Sequence, residues 1–380
     1  MHVANPSLAL PNVVLTDESL GRLSGWLAVQ TGASRVTVTD EGRLGGGAVA
    51  FNLALILDVD GGPRAGRHAC VLRAESAGRL AASIGRRREF AVLSAAVAGG
   101  VLAPEPLFFC DDPGVLGPDF LIMRRAEGGG GFNVVKADAP EPELARELGR
   151  QLGLLHRVMP GAPGLERLPE PPACPAQEAI AQLRDWIGDL ARRDPVLAWG
   201  LRWLEVNAPP PEAVVLCHRD FHGGNCLVKD GRLSAILDWE FAGFGDPMED
   251  LGWFCARSWR FRRLHRESGG NGDRDDLYAG YEETSGRRVD PRRVAYWETA
   301  AYLRWAALAL QQGERHCSGA EPSLELALTG RRLPEIEMEL LRHLRAQGRA
   351  NRASGPARET AATPADPPEA ASDVPVERVA

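Results

Sequence analysis

The sequence predicts an α+β chain of two lobes, and three observations predict it. Short extended segments, broken by glycine clusters, fill the first third of the 380 residues. A hairpin dense in Asp, Asn and Gly follows between Val214 and Asp238. Helical apolar spacing dominates the rest from Glu143 onward. Together they place an N-terminal lobe over residues 1–126, an antiparallel sheet plus one helix, and a mostly helical C-terminal lobe over 127–349. Residues 350–380 read as a disordered tail.

In chain order, Arg35 to Thr39 alternates and reads as a strand. Gly42 to Gly47 then interrupts, and Ala48 to Leu57 is apolar and extended. This is a Gly-rich hairpin whose backbone amides, at Gly45, Gly46 and Gly47, can lie over phosphate groups; a plain hairpin is the alternative. Ala69 to Arg73 is a third strand ending in a cation. Phe90, Leu93 and Val97 recur at helical spacing, so Glu89 sits beside a buried face and within reach of Arg73. Glu105 to Cys110 and Phe120 to Arg124 complete five strands, with Asp111-Asp112-Pro113-Gly114 opening the loop between them. Met123 to Ala126, including Arg125, would join the lobes, and Gly128 to Gly131 would continue that joint.

The hairpin carries the chemistry. His218-Arg219-Asp220 is followed by Asn225 five positions after the Asp, and Asp238 ends the apolar run Ala235-Ile236-Leu237. That spacing matches the catalytic-loop pattern of kinases. Phosphoryl transfer needs a carboxylate near the attacking hydroxyl, here Asp220, and hard oxygen ligands for Mg²⁺, here Asn225 and Asp238. No long activation segment separates Asp238 from Asp246-Pro247-Met248-Glu249, which reads as a helix start with Asp246 as N-cap and Glu249 closing a capping box. Asp250 either bonds back to amides of the catalytic loop or merely favours the helix dipole.

Val214 to Trp253 resembles the aminoglycoside phosphotransferase superfamily, small-molecule kinases sharing the protein-kinase-like fold. It is most similar to the branch found with acyl-CoA dehydrogenases. The resemblance implies Asp220 as catalytic base, Asn225 and Asp238 as metal ligands, and Asp250 as the structural Asp of a Gly-Asp-Pro-x-x-Asp-Leu pattern. It implies ATP as co-substrate, with Gly45, Gly46, Gly47, Arg73, Glu89, Met123 and Arg125 around the nucleotide. Arg73 stands where kinases generally carry Lys, keeping the charge in a bidentate fork. The acceptor implied is a small molecule, of hydroxyacyl type by the branch; an aminoglycoside or other hydroxylated antibiotic is the alternative, and an idle nucleotide-binding scaffold a third.

The remaining sequence is helical, at Glu143 to Met159, Gln177 to Gly188, Val196 to Val206, Asp276 to Thr284 and Val294 to Gln311. His156 reads as a structural histidine near the catalytic loop. Arg260 to Arg274 reads as a mobile loop whose Arg260, Arg262, Arg263 and Arg266 are either solvated or available to an anionic acceptor. Glu282, Glu283, Glu298 and Glu314 are the carboxylates that a polycationic antibiotic would need. A net charge of −7 argues against a nucleic-acid partner. No apolar run is long enough for a membrane span, and the first ten residues lack a basic signal-peptide start. Seven scattered cysteines without ligand spacing point to a reducing, cytoplasmic setting.

Overall fold

The computed structural model describes residues 15–44, 51–75, 83–130, 142–188, 190–261, 263–319 and 322–354. The expected phosphate loop at Gly45, Gly46 and Gly47 lies outside these residues, as does Arg262.

A helix the sequence reading did not anticipate comes first: α1 (Asp17–Thr31), started by a reciprocal capping box between Thr16 and Ser19 and stopped by Gly32 in the left-handed conformation. Five antiparallel strands follow, β1 (Arg35–Arg43), β2 (Phe51–Asp60), β3 (Gly66–Ala74), β4 (Pro106–Cys110) and β5 (Phe120–Arg124), in the order β1-β2-β3-β5-β4. Leu23 and Leu27 of α1 pack on Leu55, Leu57, Leu72 and Phe120, closing one face of the sheet. Helix α2 (Arg86–Ala98) lies between β3 and β4 in sequence and sets Val92, Leu93 and Ala96 in the larger core. That core therefore runs from α2 into the second lobe.

The second lobe holds α3 (Pro142–Leu155), α4 (Pro175–Ile187), α5 (Pro195–Val206), α6 (Pro247–Cys255), α7 (Arg274–Ser285), α8 (Pro291–Cys317) and α9 (Leu333–Ser354) among its helices. Proline opens five of these where its missing N–H costs nothing: Pro175, Pro195, Pro247, Pro291 and, for α3, Pro142. Two small sheets carry the functional loops. Strand β6 (Gly129–Gly130) pairs with β8 (Cys226–Lys229) and β8 with β9 (Arg232–Ile236), while β7 (Val215–Cys217) pairs with β10 (Gly243–Gly245). Helix α3 ends at Leu155, short of the expected Met159, and α9 carries regular structure to Ser354, past the expected start of the tail at 350. Residues 355–380 lie outside the described part. Among the described residues no helix is long and apolar enough to cross a membrane.

The loop expected to be mobile is instead folded inward. Arg260 donates to the carbonyls of Cys255 (2.9 Å) and Leu264 (3.1 Å), and Ser268 closes a bridge with Gly272. Both Arg260 and Arg266 are buried, so neither joins a basic surface, and Arg260 braces the loop.

Helices α3 and α7 approach so closely that only glycine fits the crossing. A Cβ on Gly280 would overlap the main-chain oxygen of Arg146, and one on Gly149 the oxygen of Leu277. Replacing Gly280 by Ala gains about 1 kcal/mol of helix propensity but overpacks a backbone-to-backbone contact, which costs about 1–3 kcal/mol or more. Gly280→Ala should therefore lower the thermal midpoint. Gly21→Ala, where a Cβ meets nothing within 4 Å inside α1, should raise it. Equal shifts for the two variants would refute the close-crossing account.

Candidate active site

The loop that carries Asp220 is held from beneath by one carboxylate. Asp250, in the first turn of α6, accepts the main-chain N–H of His218 (2.7 Å) and of Arg219 (2.7 Å). It also accepts from Nε2 of His156 at 3.1 Å, whose Nδ1 faces the Tyr281 hydroxyl at 3.1 Å. Asp250, His156 and His218 are fully buried. Burial works to raise the Asp250 carboxyl, but the His156 hydrogen bond, nearby histidines and the loop amides outweigh it and hold it low. Of the two readings open for Asp250, the structure shows the bond back to the loop.

This support permits an unusual backbone. Arg219 has φ 64° and Asp238 φ 64°, left-handed conformations that side-chain-bearing residues seldom adopt. Gly243 and Gly245 make room for the Arg219 guanidinium, which donates to the Phe244 carbonyl at 2.7 Å and faces Glu249 at 3.4 Å. Glu249 was expected to close a capping box. Asp246 does cap Met248 (2.8 Å), but the Glu249 side chain turns to Arg219 because an opposite charge is the stronger partner.

His218 links the loop to the strand end. Its Nε2 donates to the Leu237 carbonyl (3.0 Å) and its Nδ1 accepts from the Asp220 N–H (3.2 Å), which fixes the Nε2–H tautomer. Asn225 donates its amide nitrogen to the main-chain oxygen of Asp220 (2.9 Å) and to its carboxylate (2.8 Å). Its own carbonyl oxygen is thereby turned away from Asp220. Burial tends to raise the Asp220 carboxyl, yet His222, His218 and Arg304 outweigh it and hold it below the usual carboxylate range. Asp220 and Asn225 are thus brought together, one residue before and one inside the turn that leads into β8.

Asp238 enters a buried ionic network. Arg73, at the end of β3, reaches Glu89 of α2 at 2.9 Å, Asp238 at 2.6 Å and Glu240 at 3.6 Å. Arg86 completes it with Glu89 and with Glu240 at 3.0 Å. The structure places the Arg73–Glu89 pair where the sequence expects it. Arg86 and Glu240 escaped sequence reasoning; their signals were the three-residue spacing from Arg86 to Glu89 and the alternate-residue spacing from Asp238 to Glu240. Burial and the Asp238 charge push Glu240 up to about 7 against the pull of Arg73 and Arg86.

The interlobe residues behave differently from one another. Met123 lies in the ladder of β5, opposite Val71 and Pro106. Arg125 gives its N–H to the Ala69 carbonyl (2.9 Å) and its guanidinium to Glu41 (2.6 Å). That amide continues the sheet and is committed there.

A family model described as the phosphotransferase enzyme family matches residues 59–297, more than half of the chain. The chain belongs to that family. This phosphotransferase is 28% identical over 197 residues to acyl-CoA dehydrogenase family member 11 of Gallus gallus, across 49% of this chain and 25% of that protein. It is 30% identical over 166 residues to viomycin phosphotransferase of Streptomyces vinaceus, across 40% of this chain and 55% of that one. The phosphotransferase thus spans about a quarter of the length of the first of these relatives. A candidate aminoglycoside phosphotransferase from Ralstonia eutropha superposes with a TM-score of 0.66 at 21% identity, covering 86% of this chain and 98% of that one. Spectinomycin phosphotransferase, solved with ADP and spectinomycin, gives 0.55 at 15% identity, covering 85% and 98%. The fold is that of the kinase-like aminoglycoside phosphotransferases.

The Glu240 environment has a pH signature. A carboxyl whose pKa rises from 4.5 to about 7 on folding holds its proton more tightly in the folded state. Its contribution therefore favours the fold at low pH and is lost as pH climbs through that interval. Glu240→Gln cannot titrate, so its thermal midpoint should gain on the wild type between pH 4.5 and about 7. A pH-independent difference in melting scans would rule out the raised value.

Proposed function

We propose that the chain transfers the γ-phosphoryl group of ATP to a hydroxyl of a small acceptor of hydroxyacyl type. The observation that carries this reading is the convergence of Asp220 and Asn225, joined at 2.8 Å, with Asp238 following the strand that pairs with β8. Asp220 accepts the acceptor's hydroxyl proton and aims its oxygen. A carboxylate held low is a weak base, so orientation is its larger part, as suits a loose phosphoryl-transfer transition state.

The oxygen donors of Asn225 and Asp238 fit Mg²⁺, a hard cation that takes one or two protein ligands and keeps water and phosphate oxygens. Such an ion would neutralise the nucleotide phosphates. Arg73, steadied by Glu89, supplies a fixed positive charge beside Asp238. Gly45, Gly46 and Gly47 would cover the phosphates, and the segment from Met123 through Arg125 would border the adenine.

The hydroxyacyl assignment draws on the similarity to acyl-CoA dehydrogenase family members. The viomycin phosphotransferase likeness favours a second reading, a cationic antibiotic acceptor. Three of the carboxylates such a ligand would need already face arginines: Glu298 pairs with Arg274 (2.9 Å), Glu282 with Arg288 (2.9 Å) and Glu283 with Arg150 (3.2 Å). That neutralisation supports the first reading over the second.

Asp220→Asn should keep Mg-ATP binding in calorimetry and lose roughly 10²–10⁴ in turnover on hydroxyacyl acceptors. Asp238→Ala should instead lose metal-dependent nucleotide binding. Wild-type turnover in Asp220→Asn would exclude the mechanism. Separately, Arg73→Ala should weaken ATP more than acceptor, with Arg73→Lys retaining much of the affinity. Equal ATP affinity in all three proteins would make Arg73 an ordinary strand-end cation.

A further inference from the structure

An open groove between α4, α6 and α8 is lined by Leu183, Trp186, Trp253, Trp297 and Ala301, with Arg304 and Glu249 as its charged members. That lining suits a small ligand with an apolar body. Among the described residues, Nε of Arg304 and the indole N–H groups of Trp253 and Trp297 have no hydrogen-bond partner. Buried donors are normally satisfied, so three orphans on one cleft mark a place for acceptor oxygens. The Arg304 guanidinium lies over the Trp253 ring at 5.0 Å, and its nearest carboxylate, Glu249, is 3.9 Å away, beyond hydrogen-bond length.

Ring packing joins the cleft to the loop that carries Asp220. Trp253 packs on Trp259 with ring centroids 5.0 Å apart, and Trp259 stacks on His222 at 4.4 Å with planes 5° apart. His222 in turn lies 3.7 Å from the Asp220 carboxylate. An aromatic wall therefore leads from the proposed base to Arg304.

We propose that this cleft takes the apolar chain of an acyl group, and that Arg304 and the indole donors bind its acyl oxygen. Arg304 is then a specificity-determining residue: it places an acylated acceptor's hydroxyl toward Asp220 and repels cationic acceptors. The proposal deepens the phosphotransfer reading given above and rests on it. A carboxylate and a thioester carbonyl share the acyl oxygen that the site would recognise, and the experiment separates them.

The test is titration of the full chain with octanoate, octanoyl-CoA and octylamine, followed by tryptophan fluorescence and calorimetry, with ATP affinity measured alongside. Wild type should bind octanoate or octanoyl-CoA more tightly than octylamine. Arg304→Met should weaken the acyl ligand by roughly 10–100-fold while leaving ATP affinity in place, and Arg304→Lys should restore part of the loss. Binding of octanoate alone assigns a free acid, and binding of octanoyl-CoA alone a thioester. The proposal is overturned if wild type binds neither acyl ligand, if octylamine binds as tightly, or if acyl affinity is unchanged in Arg304→Met. Should Arg304→Met also lose ATP, Arg304→Lys decides: ATP affinity kept with acyl affinity unchanged from wild type overturns the proposal. Acyl binding that depends on Arg304, without phosphate transfer to any hydroxyacyl compound, would instead remove the phosphotransfer reading and keep the cleft.

Discussion

The Asp250 carboxylate is the constraint on which the site depends. A lone buried carboxylate would be prohibitively costly, yet this one accepts two loop amides at 2.7 Å and a histidine N–H at 3.1 Å. The bonds run both ways in effect: the donors stabilise the charge, and the charge fixes Arg219 in a left-handed backbone it would not adopt alone. From there the geometry propagates. His218 passes it to Leu237, the neighbour of Asp238, and to the amide of Asp220. One anchored loop therefore sets the positions of Asp220 and of Asp238 together.

The second constraint is ionic and joins the lobes. Arg73 comes from the five-stranded sheet, Glu89 and Arg86 from α2, and Asp238 and Glu240 from the segment after β9. Such a network contributes little net stability once desolvation is counted, but an unmatched member would be severely penalised. Its value lies in specifying one relative arrangement of the elements that carry it. Arginine suits that role better than lysine, since a planar fork can hold Glu89 and Asp238 through different nitrogens at once.

Much of this was legible in the sequence because the chemistry is local there. The spacing from Asp220 to Asn225 fits a single tight turn, and strand alternation with a following helix placed Arg73 near Glu89. Helix α3 was legible through Leu144, Leu148, Leu152 and Leu155, all of which are buried. What stayed hidden depends on distant pairing. The folding-in of Arg260 requires carbonyls that face it only once the loop closes, so a run of arginines read as solvated. Glu249 looked like a capping residue because its competitor, Arg219, lies 30 positions earlier and meets it only through β7 and β10. Helix α1 has a weakly apolar face, and its start signal, Thr16 with Ser19, lacks the usual Glu or Gln.

Charge compensation also differs from one buried arginine to another. Arg73 and Arg86 have carboxylate partners within 3.0 Å. Glu282, Glu283 and Glu298 are likewise matched by arginines. Arg304 differs: its nearest carboxylate stands at 3.9 Å, and aromatic faces supply the rest of its surroundings. Burial draws the Arg304 pKa down, while the Glu249 and Asp220 charges push it back up, and the net direction is downward. A buried cation set against tryptophan rings, with no carboxylate at hydrogen-bond length, is under-compensated. The same low-dielectric surroundings that make that arrangement costly make an incoming acyl oxygen a strong partner. Selectivity then follows from the scaffold itself, because a cationic acceptor would add a second uncompensated charge to the first.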